Sequence, residues 1–265
     1  MTPQVQDWND PAAVADWLET HAQSNPGRAG QLAMVLTLLG QVQATGLRLL
    51  DLGCGDGMVS EMVLTQLPGS VVVGLDLSAP MLAAAEARLA PYAGRYTLYQ
   101  RALDDPSPLV DQPLFDAAIG VQSIHHLDGA GKAALFRWVA DHLRPAGLLV
   151  LSDRVRLPDA ALFPYFRALH DAYQRDHGAA PSPPDYGYAA HRRALDLRAD
   201  VPDTVEDQLA WMRAAGFGAV DCFYRHTERA IFGGLKQPAT PADQPLPGDR
   251  SATLITHDNA ANGMF

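Results

Sequence analysis

Apolar residues fall into two rhythms along the 265-residue chain. One is short and nearly continuous: "LRLLDLG" at 47–53, "SVVVGLDLS" at 70–78, "YTLYQRAL" at 96–103, "FDAAIGVQ" at 115–122 and "GLLVLSDR" at 147–154. Runs of this length, bounded by turn residues, predict buried strands. The other recurs every three or four residues. It marks helices in "PAAVADWLET" at 11–20, "NPGRAGQLAMVLTLLGQV" at 25–42, "GMVSEMVLTQL" at 57–67, "APMLAAAEARLA" at 79–90, "DGAGKAALFRWVADHL" at 128–143 and "TVEDQLAWMRAAGF" at 204–217. Leu32, Val35, Leu36 and Leu39 share one face of the second. Asp10 before Pro11, Ser78 before Pro80, and Thr204 read as helix starts. Buried strands alternating with helices imply a mostly parallel sheet covered on both faces, an α/β class.

The rhythm breaks after Arg154. "PDAALFPYFRALHDAYQRDHG" reads as one aromatic-rich helix started or interrupted at Pro164, and "AAPSPPDYGYAAHRR" as a loop with a short helix. "AVDCFYRHTERAIFGGLK" alternates about a turn at His226–Arg229, predicting an antiparallel pair at the sheet edge. The organisation expected is an N-terminal helical cover at 1–44, a main domain at 45–236 with an insertion at 155–200, and a flexible tail at 237–265, where periodicity is absent.

The formal net charge is −10, which argues against a nucleic-acid partner bound by charge, though it leaves local recognition of a tRNA open. The two cysteines, Cys54 and Cys222, lack metal-site spacing, so no metal centre and no disulfide framework are expected, in keeping with a reducing cytoplasm. No apolar run is long enough to span a bilayer, and no signal pattern opens the chain.

Chemistry concentrates where the first strand ends. "DLGCGDG" turns out of a buried strand into a helix with glycines at 53, 55 and 57, and a Gly-rich strand-to-helix turn lets a nucleotide approach the backbone. A dinucleotide fingerprint needs a third glycine where this chain has Met58. Asp51 and Asp56 flank the turn, repelling a diphosphate and suiting a ligand with an ammonium or sulfonium. Asp76 closes the second strand about twenty residues on, where a carboxylate accepts ribose hydroxyls.

In order and spacing, "DLGCGDG", "GLDLS", "RALDD", "FDAAIGVQSIHHL" and "LRPAGLLVLSD" resemble the successive motifs of class I S-adenosylmethionine-dependent methyltransferases. The resemblance covers about residues 45–155. It implies a Rossmann-like, seven-stranded, mostly parallel sheet with an antiparallel last strand, helices on both faces and a helical lid. It implies S-adenosylmethionine as cofactor, with S-adenosylhomocysteine as product. Carried over by position, Asp51, Gly53, Cys54 and Gly55 surround the methionine part. Asp76 and Leu77 meet ribose and adenine, with Met81 packing nearby. Leu103 and Asp104 meet the adenine edge, Asp104 being preferred over Asp105, and Gly120 and Val121 supply backbone contacts. Arg101 departs from the acidic residue many members have just before that pair.

Transfer from a sulfonium needs alignment above all, and a base only where the acceptor must lose a proton. "SIHHL" puts His125 and His126 beyond the fourth strand, as a base or as walls of the methyl channel. The insertion supplies Phe163, Tyr165, Phe166, His170, Tyr173, Tyr186, Tyr188, His191, Arg192 and Arg193. Helical spacing of Phe163, Phe166, Leu169 and Tyr173 predicts that this helix is mostly core. Tyr165, Tyr188 and Arg193 are the substrate-binding candidates, the arginine gripping an anionic acceptor by its fork.

A narrower resemblance, in "RRALDLRADVPDTVEDQLAWMRAAGF", is to the branch containing carboxy-S-adenosylmethionine synthase and enzymes of the wobble-uridine 5-oxyacetate tRNA modification. It implies that Arg193 holds an extra carboxylate on the cofactor; Arg28 is a second candidate, or a surface residue. The expectation is a methyltransferase acting on a small acceptor, carboxylate-bearing or aromatic. The alternatives are the carboxy-cofactor or tRNA branch, and a binding protein without catalysis. An aromatic lid packed against a second copy would make a homodimer.

Overall fold

The computed structural model describes residues 7–20, 25, 27–42, 44–105, 109 and 112–238. Strands β1 (Arg48–Leu52), β2 (Val71–Asp76), β3 (Tyr96–Gln100), β4 (Phe115–Val121), β5 (Leu143–Arg154), β6 (Phe217–His226) and β7 (Arg229–Lys236) form one sheet in the order β3-β2-β1-β4-β5-β7-β6. The first five are mutually parallel, and β7 runs antiparallel to both β5 and β6. The expected seven strands and antiparallel last strand are both present. All but 237–238 of the expected tail lies outside the described residues.

Period-two alternation sorts the strand residues between two cores. Leu50, Leu52, Ala118, Leu149 and Leu151 face one layer, with Leu135, Phe136 and Val139 of helix α5 (Gly129–His142) and Met212 of helix α8 (Val205–Ala214). Leu49, Ala117, Ile119, Leu148 and Val150 face the other, which takes in Leu32, Val35, Leu36 and Leu39 of helix α2 (Arg28–Leu39) and Val59, Val63 and Leu64 of helix α3 (Met58–Gln66). Burying each such aliphatic side chain contributes about 1.5–3 kcal/mol, so both layers hold the sheet flat against its helices.

Helix starts follow local chemistry. Asp10 Oδ1 accepts from Ala12 N at 2.9 Å to open helix α1 (Pro11–Thr20). Ser78 Oγ accepts from Met81 N at 3.2 Å to open helix α4 (Ala79–Leu89), and Thr204 Oγ1 accepts from Asp207 N at 3.0 Å to open α8. The expected helix beyond Pro164 begins one residue before it, as α6 (Phe163–Asp176), followed by α7 (Tyr188–Asp196).

β1 lies between β2 and β4, whose crossovers leave in opposite directions. The carboxyl ends of these strands therefore open a crevice at the switch point, where open α/β sheets bind ligands.

Candidate active site

Two cavities meet at this crevice. The smaller, about 340 Å³, is lined by the β1 turn and the ends of β2 and β4, including Asp51, Gly53, Cys54, Gly55, Asp76, Leu77, Met81, Leu103, Asp104 and Val121. The larger, about 860 Å³, lies under α6 and α7. Trp8, Arg28, Gln122 and His126 line both. Ser78 Oγ donates to the Trp8 carbonyl at 2.5 Å, tying the N-terminal cover to the α4 cap beside this junction.

The three glycines of the turn have different reasons. Gly53, Gly55 and Gly57 all have positive φ (71°, 55° and 76°). A Cβ on Gly53 would meet Ser123 Cβ at 2.4 Å, and one on Gly57 would meet Ala85 Cβ at 3.1 Å, so both positions are closed by the chain's own packing. Only at Gly55 would a Cβ meet nothing within 4 Å. A ligand's approach therefore accounts for one glycine of the three.

The acid groups differ as much. Asp51 is buried, accepts from Ser60 Oγ at 2.7 Å, and is pushed up to about 7 by burial, reinforced by Asp76 and Asp56. Such a carboxyl ionises readily only beside a cation. Asp76 accepts from Gly55 N and Ser78 N, both at 2.8 Å, and its pKa is raised by burial. It therefore fixes the Gly turn, and each oxygen keeps a lone pair for a further donor. Asp56 also lines the cavity, and Arg88 Nη2 donates to it at 2.6 Å, which offsets part of its charge. Gly120 does not line the cavity, and a Cβ there would strike Leu151 Cδ2 at 2.9 Å. Asp104 lines the cavity and Asp105 does not.

The two histidines separate sharply. His125 is buried with both ring nitrogens engaged, Nδ1 at 2.5 Å from Asp153 Oδ1 and Nε2 at 3.3 Å from Asp200 Oδ1. Burial alone would lower its pKa, but the two carboxylates outweigh that and raise it. A cation so enclosed has no lone pair to offer, so the base role expected of His125 is not supported by its geometry. His126 has its pKa lowered by burial and by the charge on His125, leaving a neutral ring near pH 7. Its Nδ1 faces the Ala199 carbonyl at 3.3 Å and Asp200 Oδ1 at 3.6 Å. Two acceptors there place the proton on Nδ1 and the lone pair on Nε2. His125, His126 and Asp200 present ligand atoms within 4.8 Å of one another, but Asp200 also has Arg154 Nε at 3.2 Å and His125 holds a proton, which opposes a metal ion.

Residues 50–149 match the family model described as a methyltransferase domain. The chain is 27% identical over 215 residues to the carboxy-S-adenosyl-L-methionine synthase of Aeromonas salmonicida, covering 77% of this chain and 80% of that one. It is 34% identical over 113 residues to the trans-aconitate 2-methyltransferase of an Acidovorax species, covering 42% and 38%. Among solved structures, the S-adenosylmethionine-dependent methyltransferase SibL superposes with a TM-score of 0.59 at 17% identity over 85% of this chain, which spans 58% of that chain. Residues 50–149 thus match a methyltransferase domain, and the chain as a whole is similar to S-adenosylmethionine-dependent enzymes of this kind.

The larger cavity differs from the sequence reading. Phe166, Arg167, His170, Tyr173 and Gln174 of α6 face the large cavity, and only Phe163 of that helix is buried, so it is chiefly a cavity wall and not mostly core. Its opposite face is exposed: Tyr165 is 70% and Leu169 58% accessible, and Tyr165 lines neither cavity. Tyr188 packs edge-on to Phe163, ring centroids 5.5 Å apart, outside both linings. Arg193 is exposed and likewise outside both, because the α7 turn presents His191, Ala194 and Leu195 inward instead. In the described chain it grips nothing in the crevice.

Sequence reasoning missed the cavity's own charges. Arg154 ends β5, Arg229 begins β7, and Asp153 and Asp200 stand behind them. Their signal was charge at strand ends on the carboxyl edge, which only the β5–β7 pairing brings together. Gln122 was also passed over. It holds φ at 57°, a costly conformation for a non-glycine residue, with its N–H donating to the Ser152 carbonyl at 2.9 Å. Among the described residues no helix is long and apolar enough to cross a membrane.

Proposed function

We propose that this enzyme transfers a methyl group from S-adenosylmethionine to a small, carboxylate-bearing acceptor, with the cofactor in the smaller cavity and the acceptor in the larger. The observation that carries the reading is the shared wall of Trp8, Arg28, Gln122 and His126, which leaves one junction across which two ligands can touch. The residues present fit the cofactor. Gly55 leaves the backbone bare, Asp51 is a carboxyl that favours a neighbouring cation, and Asp76 is locked with lone pairs to spare. In this reading Asp51 receives the ammonium, Asp76 the ribose hydroxyls and Asp104 the adenine amine, while Leu77, Met81 and Leu103 supply apolar walls.

Bound there, S-adenosylmethionine supplies the activated methyl and the leaving sulfur. The chain's task is to align the two ligands and exclude water, an effect of up to about 7–11 kcal/mol in ideal cases. Trp8 lines the junction, and α6 and α7 wall the large cavity beside it. Where the acceptor atom carries a proton, His126 Nε2 takes it, and the Ala199 carbonyl steadies the resulting imidazolium through Nδ1. The free thiols Cys54 and Cys222 accord with work in the cytoplasm.

Titration calorimetry with S-adenosylmethionine and S-adenosylhomocysteine, followed by transfer of labelled methyl to a panel of small carboxylic acids, tests this directly. Heat with a dinucleotide and none with either nucleoside would end the proposal.

A second reading, production of a carboxylated cofactor, is favoured by Arg28. It lines both cavities, burial lowers its pKa, and its Nε is buried without a hydrogen-bond partner, so an extra carboxylate near the sulfur would satisfy it. Mass spectrometry of the cofactor after incubation with prephenate separates the two readings.

A further inference from the structure

Arg154 and Arg229 are directly opposed across the antiparallel β5–β7 ladder, and both side chains line the large cavity. Like charges in such a cross-strand pair destabilise a sheet, so their retention at the floor of a cavity calls for a reason. The surrounding carboxylates do not supply one. Asp153 accepts from both the backbone N–H and Nδ1 of His125, Asp200 is shared between His125 and Arg154, and Glu228 Oε1 lies 2.7 Å from His191 Nε2. Although Arg154 Nε is 3.2 Å from Asp200 Oδ2, the two are not aligned as a hydrogen bond, and neither atom has another partner. Arg229 Nη1 is buried without any hydrogen-bond partner, and among the described residues no carboxylate oxygen lies within 4 Å of its guanidinium. Burial and the charge on Arg154 lower the Arg229 pKa to about 9, so an anion between the two would relieve both penalties.

We propose that Arg154 and Arg229 form a two-arginine clamp for a carboxylate of the acceptor within the large cavity. The planar forks suit a carboxylate in bidentate geometry. Arg28 at the junction and Arg198 on the α7 side add positive charge to the same cavity, so the clamp favours acceptors with more than one carboxylate over monocarboxylates. This rests on the methyl-transfer reading for the word acceptor, while the anion site stands or falls by itself.

The test is calorimetry on the full chain saturated with S-adenosylhomocysteine, using acetate, succinate, trans-aconitate and inorganic phosphate as probes, for the wild type and for Arg154→Gln, Arg229→Gln and Arg229→Lys. The expected result is affinity rising from acetate to the multicarboxylates, a loss of tenfold or more in either glutamine variant, and partial recovery in R229K. An exposed-charge control, Arg137→Gln, should match the wild type, and unchanged S-adenosylhomocysteine affinity in each variant shows that the fold is intact. No multicarboxylate binding by the wild type, binding indifferent to both arginines, or a preference for phosphate would overturn the clamp. Absence of S-adenosylhomocysteine heat would instead overturn the methyl-transfer reading, with the carboxylate arms still deciding the anion site.

Discussion

The Asp153 carboxylate receives both the backbone N–H of His125, at 3.0 Å, and its ring Nδ1, at 2.5 Å. One acidic side chain at the end of β5 thus fixes the position and charge of a histidine on the neighbouring β4 loop. Val201 N donates to the His125 carbonyl at 2.7 Å, and Lys132 Nζ anchors the same segment through the Val201 carbonyl and Asp203. His125 is therefore the hub that holds Asp200 and, through it, His126.

Asp153→Asn is expected to cost about 3–5 kcal/mol, because it strands a buried imidazolium. The pH dependence has two sides. The raised His125 pKa contributes stability that is complete below its ordinary 6.5 and fades as pH climbs through the raised value. The depressed Asp153 pKa contributes stability that is present above 3.8 and fades as pH falls through the lowered value. Denaturant unfolding should show both flanks in the wild type, and flattening of both in D153N.

His126→Gln should lower kcat by about 10²–10⁴-fold if the acceptor carries a proton. The affinity for S-adenosylhomocysteine should stay within about twofold, because ground-state binding does not use Nε2. The wild-type rate should rise with pH to a plateau, with its midpoint below 6.5, since the free ring is the active form and its pKa is lowered. A full-rate variant would exclude the base role.

Affinity for S-adenosylmethionine should weaken as pH drops through about 7, where Asp51 gains a proton. For one titrating group the loss approaches about tenfold per pH unit on the acid side. Calorimetry at pH 6 and pH 8 measures it, and Asp51→Asn should be weak and nearly pH-independent. An unchanged affinity at both pH values would mean that Asp51 does not meet the ligand's charge.

The turn glycines should divide by assay. Gly53→Ala is expected to destabilise by more than about 2 kcal/mol, since a clash with Ser123 adds to the left-handed backbone penalty. Gly55→Ala should cost only about 1–2 kcal/mol and show its main effect in nucleoside affinity. Thermal melts with and without S-adenosylhomocysteine tell the two apart.

By itself the sequence determined the layer architecture, because strand and helix periods are local properties that each segment carries wherever it packs. It also pointed to much of the lining of the smaller cavity. There the lining groups are compressed into one turn and one strand end, so Gly55, Asp51 and Asp76 were legible from spacing. Tertiary structure alone decided the lining of the larger cavity. Arg154 and Arg229 lie seventy-five positions apart, and become neighbours only through β5–β7 register. Asp200 reaches His125 only through a loop held by Lys132. The inward face of α6 could not be told from a core face by period, since a cavity wall and a packed core repeat alike. Arg193 and Tyr165 looked equipped for recognition, but which side of a helix meets the crevice depends on how it docks, and docking is set by the rest of the chain.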